Sequence, residues 1–146
     1  MTLIAKTGAL ALAVALLAGS AQAAAFFHSV KEPTVMKECG ACHMVYPPAL
    51  LPARSWAKII GDLGNHFGDD ATLPAATQAK ILEFYSKNAG DAGKANGWFM
   101  RGVKPAATPE RITKMPFWRA IHGGFSPAAF KRPQVKKVGN CIGCHG

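Results

Sequence analysis

Apolar residues recur at three- and four-residue steps along "RSWAKIIGDLGNHFG", at Trp56, Ile59, Ile60, Leu63, His66 and Phe67. That spacing predicts one amphipathic helix with His66 on its apolar stripe. Gly61 and Gly64 are poor helix residues; they suit a place where a flat group or another backbone comes close. A second stretch, with Ile81, Leu82, Phe84 and Tyr85 as its apolar part, predicts a helix capped by Thr72, with Pro74 in its first turn, ending at Asn88-Ala89-Gly90. In "MPFWRAIHGG" the residues Phe117, Trp118, Ile121 and His122 fall on one side of a short helix that Pro116 opens and Gly123-Gly124 stops. Shorter helical turns are expected from Thr108-Pro109-Glu110 and from Ser126-Pro127, the latter interrupted by Pro133. Tyr46-Pro47-Pro48 breaks the chain ahead of the His66 helix, and Asp69-Asp70 reads as a turn before the next helix rather than as a pair of acid–base carboxylates. No useful length of chain alternates as a strand does. The expected fold class is mainly α, with short helices and long loops.

The first 23 residues change the count. "MTLIAKTGALALAVALLAGSAQA" has a charged start at Lys6, an apolar run at 9–18 and small residues at Ala21 and Ala23. The run is short for a bilayer span and has the layout of a secretory signal peptide cleaved before Ala24. The expected mature product of 123 residues is exported, most simply to a bacterial periplasm, and no later segment is long and apolar enough to span a membrane. Its expected organisation is two lobes, 24–93 and 94–146, with the Gly-, Ala- and Lys-rich stretch 88–108 between them; Trp98, Phe99 and Met100 there are expected out of solvent. Charge divides at the same place. Residues 24–93 hold six Lys/Arg and seven Asp/Glu, and residues 94–146 hold ten Lys/Arg and one acid, Glu110. For an exported chain this argues against nucleic acid and toward an acidic protein surface, an anionic membrane face or simple solubility.

The chemistry lies in the cysteines. All four fall in two Cys-x-x-Cys-His segments, Cys39, Cys42 and His43 in "ECGACHM" and Cys141, Cys144 and His145 in "NCIGCHG". This is the attachment pattern of c-type haem. Two cysteines three apart share one side of a helical turn, so both sulfurs can add to the vinyl groups of one porphyrin, and the next residue carries an imidazole to the iron. Gly40, Ala41, Ile142 and Gly143, small or simple, leave room for the ring. Structural zinc does not require His directly after each Cys pair, a dithiol redox site needs one pair rather than two, and disulfides would not fix the histidines. Two covalent haem c groups are therefore expected, with His43 and His145 as proximal iron ligands.

Three histidines remain for the opposite faces. His66 and His122 stand on apolar helix stripes and are the expected distal ligands; His28, near the start of the mature chain, is expected at the surface or in packing. The simplest pairing joins His43 with His66 and His145 with His122, since each pair is 23 residues apart, and crossed pairing stays open. Met100 and Met115 are the competing sixth ligands, and each is more often core packing. Low-spin bis-His iron at the lower-potential end is expected, because methionine ligation raises the potential. Two haems supply core that so small a chain lacks, so the apoprotein is expected to be largely unfolded. The competing class is a haem enzyme or gas sensor with one open or weakly held iron, or a subunit of a larger redox complex.

Together "KECGACHMVYPPALLP", "LPARSWAKIIGDLGNHFGDDATL", "RITKMPFWRAIH" and the terminal "NCIGCH" resemble the small dihaem cytochrome c family of proteobacteria, across nearly the whole mature chain. The resemblance implies bis-His haems, with the family's motif histidines falling on His66 and His122. It also implies an electron-transfer role, with a small monohaem cytochrome c, the sphaeroides haem protein, as acceptor and a membrane cytochrome b as electron source.

Overall fold

A computed structural model describes residues 25–146; the expected signal peptide lies outside the described residues. Among the described residues a helical turn at 25–27 is followed by α1 (Pro33–Glu38), α2 (Ala53–Gly61), α3 (Ala75–Lys87), α4 (Pro116–His122) and α5 (Ile142–His145). Short 3-10 turns at Pro48–Leu50, Leu63–Asn65, Lys94–Met100, Ile112–Lys114 and Pro127–Lys131 link them. Among the described residues there is no strand, only an isolated bridge between His66 and Asp69. The mainly α class read from the sequence is the class observed, with helices shorter than the apolar periodicity implies.

Helix α1 delivers the first cysteine pair. The Glu32 carboxylate caps it by accepting from Val35 N at 2.7 Å, Pro33 occupies its first turn, and Cys39 closes it. Helices α2 and α3 form the main packing layer. Trp56, Ile59 and Ile60 from α2 meet Ile81 and Tyr85 from α3, with Val35, Leu51, Ala89 and Met115 around them. Trp56 packs against Tyr85 at 4.4 Å with the rings tilted by 48°, and its indole N–H donates to the Pro48 carbonyl at 2.7 Å. The Tyr85 hydroxyl donates to Tyr46 O at 3.0 Å, so the buried aromatic polar atoms are paired. A smaller cluster of Ala49, Leu50 and Phe99 takes Phe26, Phe27 and Phe117 at its edge. Residues 88–108 are tied back to α2: Asp91 accepts from Ala53 N (2.7 Å) and from Arg54 (3.0 Å), while Arg54 also donates to the Ala107 and Lys104 carbonyls.

Four local expectations change. The His66 helix stops at Gly61. Asp62 leaves helical geometry, a 3-10 turn covers Leu63–Asn65, and His66 sits beyond it in a tight turn. His66 N donates to Asp69 O at 2.8 Å and Asp69 N returns to His66 O at 3.2 Å, with Phe67 (φ 60°) and Gly68 (φ 106°) at the corner. Both corner residues are left-handed, the pattern of a primed turn, and glycine takes the second at no steric cost. Two glycines and an aspartate within four residues weaken the helix enough for that turn to win. The Thr72 cap is also replaced: Pro74 stands at the N-terminal boundary of α3, and Thr72 binds Asp70 Oδ1 through its N–H (2.9 Å) and hydroxyl (2.6 Å). The helical turn expected from Thr108-Pro109-Glu110 begins instead at Ile112. Finally, Phe99 is buried but Trp98 is 48% exposed, lying against Phe99 and Phe117 at the rim of their cluster.

Candidate functional site

The fold brings the four candidate histidines together as two facing pairs. His43 and His66 have ring centroids 6.1 Å apart and ring planes 13° apart. His122 and His145 also stand 6.1 Å apart, with planes at 86°. Two imidazoles on opposite sides of one first-row metal ion, each bound at about 2.0–2.1 Å, put their centroids roughly 6 Å apart. Each pair therefore has the separation that two imidazoles on a single iron would have. No group of three or more His, Cys, Asp or Glu side chains among the described residues converges on a metal-sized point. Two protein donors facing each other suit a metal whose remaining ligands come from a porphyrin, and do not suit a tetrahedral zinc site.

Each ring is held by its own element. His122 ends α4, whose 3.6-residue repeat puts it one turn after Trp118. Its Nδ1–H donates to the Trp118 carbonyl at 3.0 Å, since a carbonyl can only accept. His43 Nδ1–H likewise donates to Met44 O at 2.6 Å. Those bonds fix the tautomer and leave Nε2 with a free lone pair, the arrangement usual for metal-binding imidazoles. His66 Nδ1 is buried without a partner. Burial, and then the neighbouring His43, lowers the His66 pKa; burial, and then His122, lowers that of His145. Both rings are biased to the neutral form that a metal requires.

The sulfurs of the second segment lie beside the second histidine pair. Cys39 and Cys141 are half-buried, Cys42 and Cys144 exposed, and no disulfide joins any of them. Burial pushes the Cys141 thiol up to about 11 and raises that of Cys39. Cys141, Cys144, His122 and His145 line one apolar cleft of about 390 Å³, walled by Phe27, Phe99, Phe117 and Trp118 among others. The glycines between the cysteines are also confined by the protein itself. A Cβ on Gly143 would stand 2.6 Å from the Gln134 carbonyl and 2.9 Å from Val135 Cα, and one on Gly40 would meet the Met36 carbonyl. The protein backbone beside them leaves no room for a Cβ at either position. Met115 is 2% exposed and packed in the core, though it also borders the cleft; Met100 lies against the core and over Gly90. His28 is exposed, on the edge of a smaller hollow shared with His43 and Ile142.

Three aromatic rings lie against the histidines in contacts that the sequence reading did not assign. Trp118 stacks on His122 at 4.6 Å, Phe27 stacks on His145 at 5.2 Å, and Tyr46 leans on His43 at 5.4 Å while its hydroxyl reaches Gly139 O at 2.9 Å. Trp118 carried a signal, its four-residue spacing from His122. Phe27 did not, because His145 is remote from it in sequence; Tyr46 is only three residues from His43, and the sequence hides its reach to Gly139.

The dihaem cytochrome c family model matches residues 35–146, a span that contains both cysteine segments and all four paired histidines. The chain belongs to the dihaem cytochrome c family. Its fold is similar to the dihaem cytochrome c of Rhodobacter sphaeroides, with a TM-score of 0.73 and 40% identity over 79% of this chain and 90% of that one. A second structure of the protein from that organism gives 0.64 and 37% over the same shares. A dihaem cytochrome c from Shewanella baltica gives 0.60 and 32% over 77% and 79%. No curated protein matches in sequence. As a dihaem cytochrome c, the chain carries two covalently bound haem c groups with their iron, and its function is that of a haem-based electron carrier. Cytochromes of this family are typically exported, and no described helix is long and apolar enough to cross a membrane.

Proposed function

We propose that this cytochrome relays electrons in the periplasm through two low-spin haems, each held by two histidines. Cys39 and Cys42 attach the first haem and Cys141 and Cys144 the second. His43 and His66 are the axial ligands of the first iron, His145 and His122 of the second. The two matched 6.1 Å imidazole separations carry this reading. Bound haem supplies a one-electron couple at its iron. The chain's part is to close both axial positions, so that substrate has no place to bind. It also holds the His43 and His122 rings through backbone hydrogen bonds, so that little moves there when charge changes. Two histidine ligands favour a low potential, and the apolar cleft around the second pair, by keeping water from that centre, raises its potential relative to a solvent-exposed one. Residues 24–93 and 94–146 form the two lobes, one haem to each.

The proposed partners are redox proteins: a small monohaem cytochrome c as acceptor and a membrane cytochrome b as donor. Every Lys and Arg of residues 97–146 is exposed, so the second lobe presents a cationic face for a small, transient, salt-sensitive contact. The deciding experiment is a redox titration followed by low-temperature electron paramagnetic resonance, with carbon monoxide added to the reduced protein. Two low-spin signals and no response to carbon monoxide are expected. A high-spin centre or a stoichiometric carbon monoxide shift would refute the closed-iron reading.

A further inference from the structure

The two histidine pairs match in separation and differ in orientation, 13° for His43/His66 against 86° for His122/His145. The difference has a visible cause. The His122 ring lies nearly parallel to the Trp118 indole, at 10° and 4.6 Å, and its Nδ1 is tied to the carbonyl of the same residue. One residue therefore restrains this imidazole twice, by stacking and by hydrogen bonding. On the other side, His145 lies at 27° to the Phe27 ring, 5.2 Å away. In the first pair neither ring has a stacked aromatic partner: Tyr46 is tilted at 35° and 5.4 Å from His43, and His66 meets Phe67 edge-on at 67°.

We infer that Trp118 is a positioning residue that sets the His122 plane crosswise to His145, making the two haem irons electronically inequivalent. The inference rests on the bis-histidine reading above. An imidazole donates π density into whichever iron d orbital lies perpendicular to its own plane. Parallel imidazoles raise the same orbital, so two nearly degenerate levels split. Crossed imidazoles raise both alike and leave them close in energy. Near-degeneracy gives a ferric ion with large magnetic anisotropy, whereas the split case gives an ordinary rhombic spectrum. Axial ligands and the groups around them are levers on haem electronics, and here the lever is ligand orientation.

The test is low-temperature electron paramagnetic resonance of the oxidised full holoprotein, with near-infrared magnetic circular dichroism to identify the axial ligands. The wild type is expected to show two low-spin bis-histidine centres. One should be rhombic, and the other should show a single strongly shifted low-field feature. Trp118→Leu removes the stacking face and is expected to lose that low-field feature while keeping the rhombic signal, which reports that the rest of the molecule has folded. Trp118→Phe keeps a ring at the site and is expected to retain both. Two rhombic bis-histidine signals in the wild type would overturn this inference and leave the ligand assignment standing. A high-spin signal or a methionine-to-iron band would overturn both. An unchanged low-field feature in Trp118→Leu, or its loss in Trp118→Phe, would remove Trp118 from the role.

Discussion

Tyr46→Phe isolates one contact that joins the two attachment segments. Its hydroxyl donates to Gly139 O at 2.9 Å, bridging residues 93 apart in sequence. The ring would remain against His43 and the core, so the change removes the hydrogen bond and little packing. A net intramolecular hydrogen bond contributes about 0.5–1.5 kcal/mol. Gly139 is only half-buried, so water can reach its freed carbonyl and the loss should lie near the middle, at about 1 kcal/mol. For a domain of this size that lowers the melting temperature by about 4 °C. The assay is thermal unfolding of the holoprotein by circular dichroism, paired with amide hydrogen exchange. Faster exchange is expected at Asn140, Cys141 and Gly143, whose N–H groups bond within the segment that Tyr46 anchors. Unchanged exchange there together with an unchanged melting temperature would refute the argument. So would a loss of about 3 kcal/mol or more, which would mean that the ring itself had moved.

Other outcomes follow from the same geometry. Gly143→Ala pushes a methyl into the Gln134 carbonyl and Val135, so a loss of about 1–3 kcal/mol in guanidinium unfolding is expected, with the second haem's spectrum affected first. Asp91→Ala removes the anchor of the α2 N-terminus and the partner of Arg54, and should cost about 1 kcal/mol, with enhanced proteolysis within residues 88–108. The Glu32 carboxyl is held below the usual carboxylate range by the Val35 N–H it caps, with Lys80 adding to this. A depressed carboxyl pKa stabilises above the unfolded value and ceases to do so as pH falls through the folded one. Wild type should therefore exceed Glu32→Gln in stability at neutral pH, and the two should converge in acid. Electron transfer to an acidic redox partner should slow steeply between low and high salt; no salt dependence would remove the cationic second lobe as the docking face.

How much of this could be read beforehand varied with how local its causes are. The α4 helix and its histidine were legible because Pro116, the apolar spacing and Gly123-Gly124 act within one turn of each other. The cysteine segments were legible for the same reason. His66 was placed on the right stretch and the wrong element: apolar periodicity continued past Gly61, but the left-handed corner at Phe67 and Gly68 depends on backbone bonds to Asp69 that periodicity does not encode. Thr72 misled because a hydroxyl two residues before a proline reads as a cap until Asp70 claims it. Which histidine faces which was open in the sequence and follows from the tertiary arrangement, as do the rings of Phe27 and Trp118 that steady the second pair.

The bridge from Tyr46 to Gly139 also bears on the order of assembly. Contacts that close a long loop form late, after neighbouring residues have condensed. The Glu32 cap and the Val35 anchor shape the first cysteine pair from within a few residues, and synthesis delivers that pair long before the second. Cys141 and Cys144 should therefore stay loosely held, and open to whatever installs a porphyrin on them, until the rest of the chain has closed around its first haem.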